Sequence, residues 1–255
     1  MPTALITGAT SGIGAAFARA LAARGDDLVL VARDTERLAE SAARLSEVYA
    51  IEVETIRADL SVREDVLKVA ARLEDADRPV DVLVNNAGFG LHRKLLDPDF
   101  SLHEYALEVM CVAVLILGGA AGRAMRSRGH GQIINVSSLA AWLTQGNYSA
   151  VKAWVRTYSE SLAGELHGTG VTVTALCPGW VRTEFHERAG IRTSALPDWV
   201  WTDVDRCVAE SLADAGKGRV ISVPTKRWKA ARVVADLMPR SAIHWVSRKL
   251  TRSRD

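Results

Sequence analysis

The 255-residue chain has few of the residues that stabilise small folds or bind metal ions. Its three cysteines, Cys111, Cys177 and Cys207, are far apart and form no C-x-x-C pair. This excludes a disulfide framework and favours a reducing compartment. The six histidines show no H-E-x-x-H spacing or similar ligand pattern, so no metal site is expected.

Long apolar runs are also missing. One strongly apolar stretch without a charged residue, Val109 to Gly122, has 14 residues, fewer than a membrane-spanning helix needs and typical of a buried core helix. Met1 to Thr3 contain no basic residues before the first apolar stretch, so no signal peptide is predicted. Together these features predict a cytoplasmic protein.

Enough apolar residues are present for a large core. Hydrophobic residues make up 48% of the chain and charged residues 24%, a composition that excludes a disordered or collagen-like protein. The length suits one large α/β domain or two smaller ones. Neither an internal repeat nor a Pro/Gly-rich linker divides the chain, so we expect one domain.

Strand-length apolar runs alternate with amphipathic helical patterns. The predicted strands are residues 4–7, 28–31, 51–56, 80–84, 132–136, 171–176 and 219–223, and the predicted helices are 12–24, 35–48, 62–76, 101–127, 146–167 and 205–214. This order predicts a doubly wound parallel sheet of about seven strands flanked by helices. The main domain is expected to span 1–224, with an irregular loop at about 180–205 and a helical extension at 225–255.

A glycine-rich turn follows the first predicted strand. Residues 7–14 are TGATSGIG, spaced G-x-x-x-G-x-G. Glycines at such a turn let the backbone approach a pyrophosphate, which then lies on the helix N-terminus. A purely structural loop is the alternative, but the position at the first βα junction favours a dinucleotide. The predicted contacts are Gly8, Thr10, Ser11, Gly12, Ile13 and Gly14.

The end of the second predicted strand discriminates between two dinucleotides. An acidic residue there would bind the ribose 2′-hydroxyl of NAD(H), but the strand ends at Arg33. Because Arg33 can pair with a 2′-phosphate, NADP(H) is favoured over NAD(H). In the alternative interpretation Arg33 is a solvated residue at the strand end, and Asp34 directly after it weakens the preference.

A tyrosine and a lysine lie four residues apart in the predicted helix 146–167. Tyr148 and Lys152 therefore leave the same helix face one turn apart. An ammonium group beside a phenol lowers the phenol pKa from its ordinary value of about 10, toward the range of general acid–base catalysis. Such pairs are more often surface or packing residues. Ser138, at the carboxyl end of a predicted parallel strand where ligands bind, favours the catalytic interpretation.

With these residues in view, the chain resembles the short-chain dehydrogenase/reductase family over about residues 3–223. The resemblance rests on motifs that occur in the family's order: TGATSGIG at 7–14, Asp59-Leu60, Asn85-Asn86-Ala87-Gly88, Ser137-Ser138, Tyr148-x-x-x-Lys152 and Pro178-Gly179. It implies a Rossmann-type fold and an oxidoreductase that moves a hydride between NADP(H) and a carbonyl or secondary alcohol. It also implies a homodimer or homotetramer formed through the helices at 101–127 and 146–167.

The resemblance implies roles for individual residues. Tyr148 would protonate the carbonyl oxygen, and Lys152 would bind the nicotinamide ribose and tune the tyrosine. Ser138, rather than Ser137, would orient and polarise the carbonyl. The other implied cofactor contacts are Asp59, Leu60, Asn86, Ala87, Gly88, Pro178, Gly179 and Thr183.

One position departs from the family pattern. The asparagine that is the family's fourth catalytic residue corresponds to Met110. Methionine supplies no amide, but in the family the backbone carbonyl at this position holds a water, and every residue keeps its carbonyl. We therefore expect an altered proton relay in an active enzyme.

Apolar and aromatic residues follow the fourth, fifth and sixth predicted strands. They are Phe89, Leu139, Trp142, Leu143, Trp180 and Phe185, with Trp199 and Trp201 equally well explained by packing under a loop. Since these positions surround the catalytic edge, they predict an apolar pocket for a lipophilic ketone or alcohol, such as a steroid-like or acyl ketone. The alternatives are an NAD-linked alcohol dehydrogenase working in the oxidative direction and a non-catalytic dinucleotide-binding regulator.

The net charge of +2 is distributed unevenly along the chain. Residues 1–216 contain 21 basic and 28 acidic side chains, whereas residues 217–255 contain 11 basic and 2 acidic ones. Cationic and aromatic residues at 226–229 and 245–250 suit an amphipathic helix. Packing on the acidic body or on another subunit is the favoured interpretation, a membrane-surface contact is the second, and nucleic acid is not expected.

Overall fold

The computed structural model describes residues 1–91, 93–185 and 197–252. In these ranges the strands are β1 (Thr3–Thr7), β2 (Asp27–Ala32), β3 (Val53–Arg57), β4 (Val82–Asn85), β5 (Gly131–Val136), β6 (Val171–Leu176) and β7 (Ile221–Ser222). They form one parallel sheet in the order β3-β2-β1-β4-β5-β6-β7. The predicted Rossmann-type sheet is confirmed.

Helices cover both faces of the sheet. They are α1 (Gly12–Ala22), α2 (Thr35–Tyr49), α3 (Arg63–Leu73), α4 (Ser101–Leu107), α5 (Ala113–Arg128), α6 (Gly146–Glu165), α7 (Val204–Gly216), α8 (Lys226–Leu237) and α9 (Arg240–Arg252). One apolar core joins the sheet to α3, α5 and α6, and a second joins its other face to α1, α2 and α7. Because both faces are covered, central strands are continuously apolar; Ala4, Leu5 and Ile6 of β1 are fully buried.

The strand order reverses at β1, which pairs with β2 on one side and β4 on the other. Chain connections leave this point in opposite directions, so a crevice opens beyond the carboxyl ends of β1 and β4. The glycine-rich turn follows β1, and the sequence Asn85-Asn86-Ala87-Gly88 runs from the end of β4. The fold therefore brings both motifs to the crevice.

The apolar segment 109–122 lies in the helical run Ser101–Arg128. A π-helical turn, Glu108–Val112, joins α4 to α5, whereas the sequence predicts one uninterrupted helix. In the described part of the chain this run is long and apolar enough to cross a membrane. Leu117, Ala121 and Met125, however, are at most 1% exposed and pack in the core beside the sheet. The segment is a core helix, as predicted.

Most strand bounds differ from the predicted ones by one or two residues, and only β6 matches at both ends. The predicted strand 51–56 begins two residues later, and the backbone N–H of Glu52, just before it, donates to the Asp27 carboxylate at 2.9 Å. At the sheet edge, β7 contains only Ile221 and Ser222, whereas residues 219–223 were predicted. An edge strand has one partner, so its apolar run exceeds its paired length.

The C-terminal helices pack on the body of the protein. Trp142 Nε1 donates to the carboxylate of Asp236 in α8 at 2.6 Å, and the backbone N–H of Thr144 donates to Ser247 Oγ in α9 at 3.0 Å. Lys229 lies 3.6 Å from the carboxylate of Glu210 in α7. These contacts agree with the favoured interpretation of the basic segment.

Candidate active site

The turn after β1 needs glycine for two separate reasons. Gly8 and Gly12 have φ angles of +65° and +54°, in the left-handed region that glycine adopts without strain. A Cβ atom at Gly14 would lie 2.2 Å from the Gly8 carbonyl oxygen and 2.4 Å from Asn86 Nδ2. The turn therefore closes on itself so tightly that no side chain fits at Gly14, and the backbone N–H of Gly8 donates to the Val31 carbonyl at 2.8 Å.

Asn86 and Thr7 join this turn to the end of β4. Asn86 Nδ2 donates to the carbonyls of Thr7 and Gly8 at 2.9 and 3.2 Å. Thr7 Oγ1 accepts from the backbone N–H groups of Asn86 and Ala87 at 3.0 and 3.1 Å. The Asn86 side chain thus braces the floor of the crevice, and Ala87 and Gly88 follow directly along it.

The three predicted catalytic residues lie at the carboxyl edge of β5. Ser138 directly follows the residue after β5, and its Oγ accepts from the backbone N–H of Ala140 at 3.1 Å, which leaves the hydroxyl proton free to donate. Lys152 Nζ lies 5.7 Å from the centre of the Tyr148 ring. Ser137 is buried and donates to the Lys152 carbonyl at 2.7 Å. That bond occupies the Ser137 hydroxyl, so Ser138 is the serine available to a ligand.

Lys152 is 5% exposed and donates to the Val136 carbonyl at 2.9 Å. Burial lowers the pKa of Lys152 to about 8, while the Cys111 and Cys177 thiols oppose this shift. The ammonium is therefore present below about pH 8 and is lost above it. Its charge lies beside the Tyr148 ring.

A buried chain of hydrogen bonds fixes the helix that carries Tyr148 and Lys152. Asn85 Nδ2 donates to Asn135 Oδ1 at 2.9 Å, and Asn135 Nδ2 donates to Ser159 Oγ at 3.0 Å. The chain links β4, β5 and α6. Sequence analysis missed Asn135 and Ser159; the signal was an asparagine inside the apolar run of β5, since a buried amide needs partners.

Met110 lies where the family asparagine is expected. It is 1% exposed within the π-helical turn. A Cβ atom at Gly88 would lie 3.0 Å from Met110 Sδ and 3.7 Å from Lys152 Nζ. Methionine therefore fills the space between Gly88 and Lys152 with an apolar side chain, and it offers the lysine no amide.

The end of β2 carries the charges that would face an adenosine group. Asp34 caps α2, because its carboxylate accepts from the backbone N–H of Arg37 at 3.0 Å. The Asp34 carboxylate is thus directed to the start of α2, which weakens the argument that it repels a 2′-phosphate. Arg33 Nη1 donates to the Tyr105 hydroxyl at 2.5 Å. Asp59 Oδ1 accepts from the backbone and hydroxyl of Ser61.

Some of the predicted pocket residues converge beside Tyr148. The Phe185 ring centre lies 6.2 Å from that of Tyr148. Trp180 contacts Trp201 edge to face at 5.7 Å, whereas Trp199 is 68% exposed. Residues 186–196 of the predicted substrate loop lie outside the described residues.

Trp142 and Leu143 face a different part of the molecule. The Trp142 ring lies 4.6 and 5.9 Å from the guanidinium carbons of Arg156 and Arg232. With Leu143 it lines a cavity of about 580 Å³ between α6 and the C-terminal helices. Leu139 packs in the cluster that contains Trp142 and Trp228. The structure therefore separates this group from the residues beside Tyr148.

The segment after β6 is held between α8 and the glycine-rich turn. A Cβ atom at Gly179 would lie 2.2 Å from Trp228 Cε2, so the indole of α8 packs directly on this glycine. On the other side, Thr183 Cβ lies 3.5 Å from a Cβ placed at Gly12. Pro178 accepts at its carbonyl from the backbone N–H of Leu139 at 3.0 Å. Sequence analysis did not identify Trp228 as a neighbour of this segment.

Four further predicted cofactor contacts lie at the start of α1 and just before α3. Ser11 is the N-cap residue of α1 and follows Thr10 in the turn, and Ile13 packs partly into the core. Leu60 is 6% exposed in the core beside α3. Among the residues that the structure describes, no group of three or more His, Cys, Asp or Glu could hold a metal ion.

The family model described as short chain dehydrogenase matches residues 2–192. The chain belongs to the short-chain dehydrogenase family. As a member it is an oxidoreductase, and the family predicted from the motifs is confirmed.

Related proteins extend the match over most of the chain. Galactitol 2-dehydrogenase (L-tagatose-forming) of Cereibacter sphaeroides is 34% identical over 80% of this chain and 81% of its own length. A short-chain dehydrogenase from Sphingobium yanoikuyae in complex with NADPH superimposes with a TM-score of 0.84 at 34% identity, covering 92% of this chain and 94% of that one.

A second solved structure shares nearly the whole fold. The bulky-bulky ketone specific alcohol dehydrogenase from Comamonas testosteroni has a TM-score of 0.79 at 30% identity, covering 94% of this chain and 96% of that one. The two superpositions each cover more than nine-tenths of this chain.

Proposed function

We propose that this dehydrogenase uses NADP(H) to reduce a lipophilic ketone, or to oxidise the corresponding secondary alcohol. The observation that carries the proposal is the arrangement of Ser138, Tyr148 and Lys152 at the edge of β5. They lie beside a crevice whose floor is the glycine-rich turn. A proton donor, a polarising hydroxyl and a cation next to a dinucleotide cradle suit carbonyl reduction.

The residues present fit a dinucleotide phosphate. The turn has no room for a Cβ at Gly14, so its backbone can approach a pyrophosphate at the N-terminus of α1. Arg33 keeps further N–H donors beyond the one that Tyr105 accepts, and these can pair with a 2′-phosphate. The neighbour from Sphingobium yanoikuyae is a complex with NADPH, which supports the same choice here.

We assign the remaining cofactor contacts by their places along the crevice. Asp59 and Leu60 would hold the adenine, and Asn86, Ala87 and Gly88 would pass beneath the ribose groups. Pro178, Gly179 and Thr183 would contact the nicotinamide. When bound, the dihydronicotinamide supplies the hydride for carbonyl reduction.

The chain's own side chains supply the proton. Tyr148 would donate its hydroxyl proton to the carbonyl oxygen while Ser138 donates a hydrogen bond to the same oxygen. Lys152 is held by the Val136 carbonyl and stabilises the tyrosinate that remains. Proton return would pass through a water held by the backbone carbonyl of Met110, because the methionine side chain cannot carry a proton.

The side chains around Tyr148 favour a lipophilic substrate. Phe185 presents aromatic surface beside Tyr148, where the carbonyl would bind, and Trp180, which follows β6, packs on Trp201. The Comamonas testosteroni neighbour is specific for bulky-bulky ketones. The relative named for galactitol supports a polyol substrate instead of a lipophilic one. A polyol would need more polar groups in the pocket for its hydroxyls.

A substrate panel tests cofactor and substrate together. We expect larger kcat/KM with NADPH than with NADH, and larger kcat/KM for bulky aliphatic, aromatic and steroid-sized ketones than for ketoses. Arg33→Ala should lower kcat/KM for NADPH roughly tenfold to a hundredfold, because a charge-assisted pair with the phosphate is lost. It should leave kcat/KM for NADH unchanged, since NADH has no 2′-phosphate. Preference for NADH by the unmodified enzyme, or for ketoses, would contradict the proposal.

We further propose a cytoplasmic homodimer or homotetramer. Leu107 and Leu115 are 44% and 50% exposed on the helical run 101–128, and exposed apolar residues of this kind suit a subunit interface. Sedimentation velocity at several protein concentrations measures the assembly.

We also propose that the C-terminal segment contacts a membrane surface. Leu237 and Trp245 are 80% and 61% exposed on helices rich in cations. We expect sedimentation with phosphatidylglycerol vesicles at low salt, none with phosphatidylcholine, and release at about 0.5 M salt as charge is screened. The absence of binding to anionic vesicles would leave packing on the body as the segment's only role.

A further inference from the structure

Arg33 has a neighbour that lies 72 positions later in the sequence and that no motif identifies. Its Nη1 donates to the hydroxyl of Tyr105, in α4, at 2.5 Å. The guanidinium carbon also lies over the Tyr105 ring, 6.0 Å from the ring centre. The phenol therefore contacts the only basic group that the sequence offers at the end of β2.

Tyr105 is itself held in place. Its ring centre lies 5.2 Å from that of Phe89, at an interplanar angle of 33°. Both rings pack against the core that joins α3, α5 and α6 to the sheet. Phe89 directly follows the sequence Asn85-Asn86-Ala87-Gly88, so the crevice wall after β4 is connected through Tyr105 to the end of β2.

The surroundings keep the Tyr105 hydroxyl neutral. Burial raises its pKa, the Arg33 cation opposes that shift, and the Asp59 carboxylate adds to it. A neutral phenol accepts one N–H of the guanidinium and keeps its own proton to donate. The other guanidinium N–H groups are not consumed by this bond.

We propose that Tyr105 is a positioning residue for cofactor selectivity: it holds the Arg33 guanidinium at the place where the 2′-phosphate of NADP(H) binds. A free arginine side chain samples many rotamers, and fixing it beforehand lowers the cost of binding. This inference rests on the proposed use of NADP(H). It means that Tyr105 in α4 contributes to cofactor selectivity together with Arg33 at the end of β2.

Tyr105→Phe removes the hydroxyl and keeps the ring that packs on Phe89. We expect KM and Kd for NADPH to rise about fivefold, in the range of the net contribution of one ordinary hydrogen bond. The kcat with NADPH and all constants with NADH should stay within about twofold. Tyr158→Phe is the matched control, because that hydroxyl donates to the Leu115 carbonyl on the outer helices.

A double-variant cycle identifies the route of the effect. In an Arg33→Ala background, Tyr105→Phe should have no further effect on NADPH binding, since the group it positions is gone. An equal loss in both backgrounds, or an equal loss with NADH, would show a merely structural role and overturn the inference.

The same cycle separates this inference from the proposed function. The quantity compared is the ratio of kcat/KM with NADPH to kcat/KM with NADH. If Arg33→Ala lowers this ratio and Tyr105→Phe does not, the cofactor proposal stands and the role of Tyr105 is refuted. If Arg33→Ala leaves the ratio unchanged, the roles of Arg33 and Tyr105 are both refuted, whereas the use of NADP(H) depends on the preference of the unmodified enzyme. Thermal unfolding of each variant shows that the fold is retained.

Discussion

Tyr148→Phe is expected to lower kcat with NADPH by about a hundredfold to ten-thousandfold, the usual contribution of a positioned general acid. The substitution removes one oxygen atom and leaves the ring in contact with Phe185. Ser138 and Lys152 keep their own bonds to Ala140 and Val136. The loss should therefore fall on proton transfer and not on the architecture of the site.

Cofactor binding shows whether the loss is confined to proton transfer. Fluorescence titration of Tyr148→Phe with NADPH should give a Kd within about threefold of the unmodified enzyme, because the glycine-rich turn and Arg33 are unchanged. Tyr158→Phe, which carries the same substitution in α6, should keep full turnover. If Tyr148→Phe retained more than a tenth of the activity, the proton would come from another group and the mechanism would fail.

Gly14→Ala is expected to abolish NADPH binding and to lower the free energy of unfolding by about 3 kcal/mol, in the range of overpacked sites. The new Cβ would lie 2.2 Å from the Gly8 carbonyl oxygen and 2.4 Å from Asn86 Nδ2. Backbone cannot move aside as a flexible side chain does. The turn would open, and with it the junction between β1 and β4 that forms the crevice floor.

Gly164→Ala is the matched control in a helix without crowding. Nothing lies within 4 Å of a Cβ placed at Gly164, which is exposed in α6. Alanine there should raise the free energy of unfolding by about 0.5–1 kcal/mol, through its higher helix propensity. Urea unfolding and NADPH titration of both variants give the comparison. Normal NADPH affinity in Gly14→Ala would show that the turn is not the dinucleotide cradle.

Local pattern was sufficient for the sheet, because a strand buried on both faces is apolar at every position and its neighbours in sequence are helices. Boundaries were less predictable. The π-helical turn at Glu108–Val112 overlaps the start of the apolar run 109–122, and nothing in that run indicates an extra residue in one turn. The short β7 likewise results from having one partner strand.

Side-chain direction was the second limit. Trp142 is near Ser138 in sequence, which favoured a place in the substrate pocket, yet its ring lies between Arg156 and Arg232 and its Nε1 donates to Asp236. Asp34 is adjacent to Arg33 and looked like a competing charge, but it caps α2. In both cases a partner distant from the motif, or the start of a helix, decides the orientation.

The sequence by itself determined the fold class and the family and predicted the catalytic edge, because each depends on residue order and on spacing within single strands, turns and helices. The tertiary structure alone decided which residues meet across elements. It joined Arg33 to Tyr105, Gly179 to Trp228, and Asn85 through Asn135 to Ser159. It also showed that the basic C-terminal helices lie on the acidic body. Such pairings depend on strand order and helix packing, which place residues far apart in the chain within a few ångströms of each other.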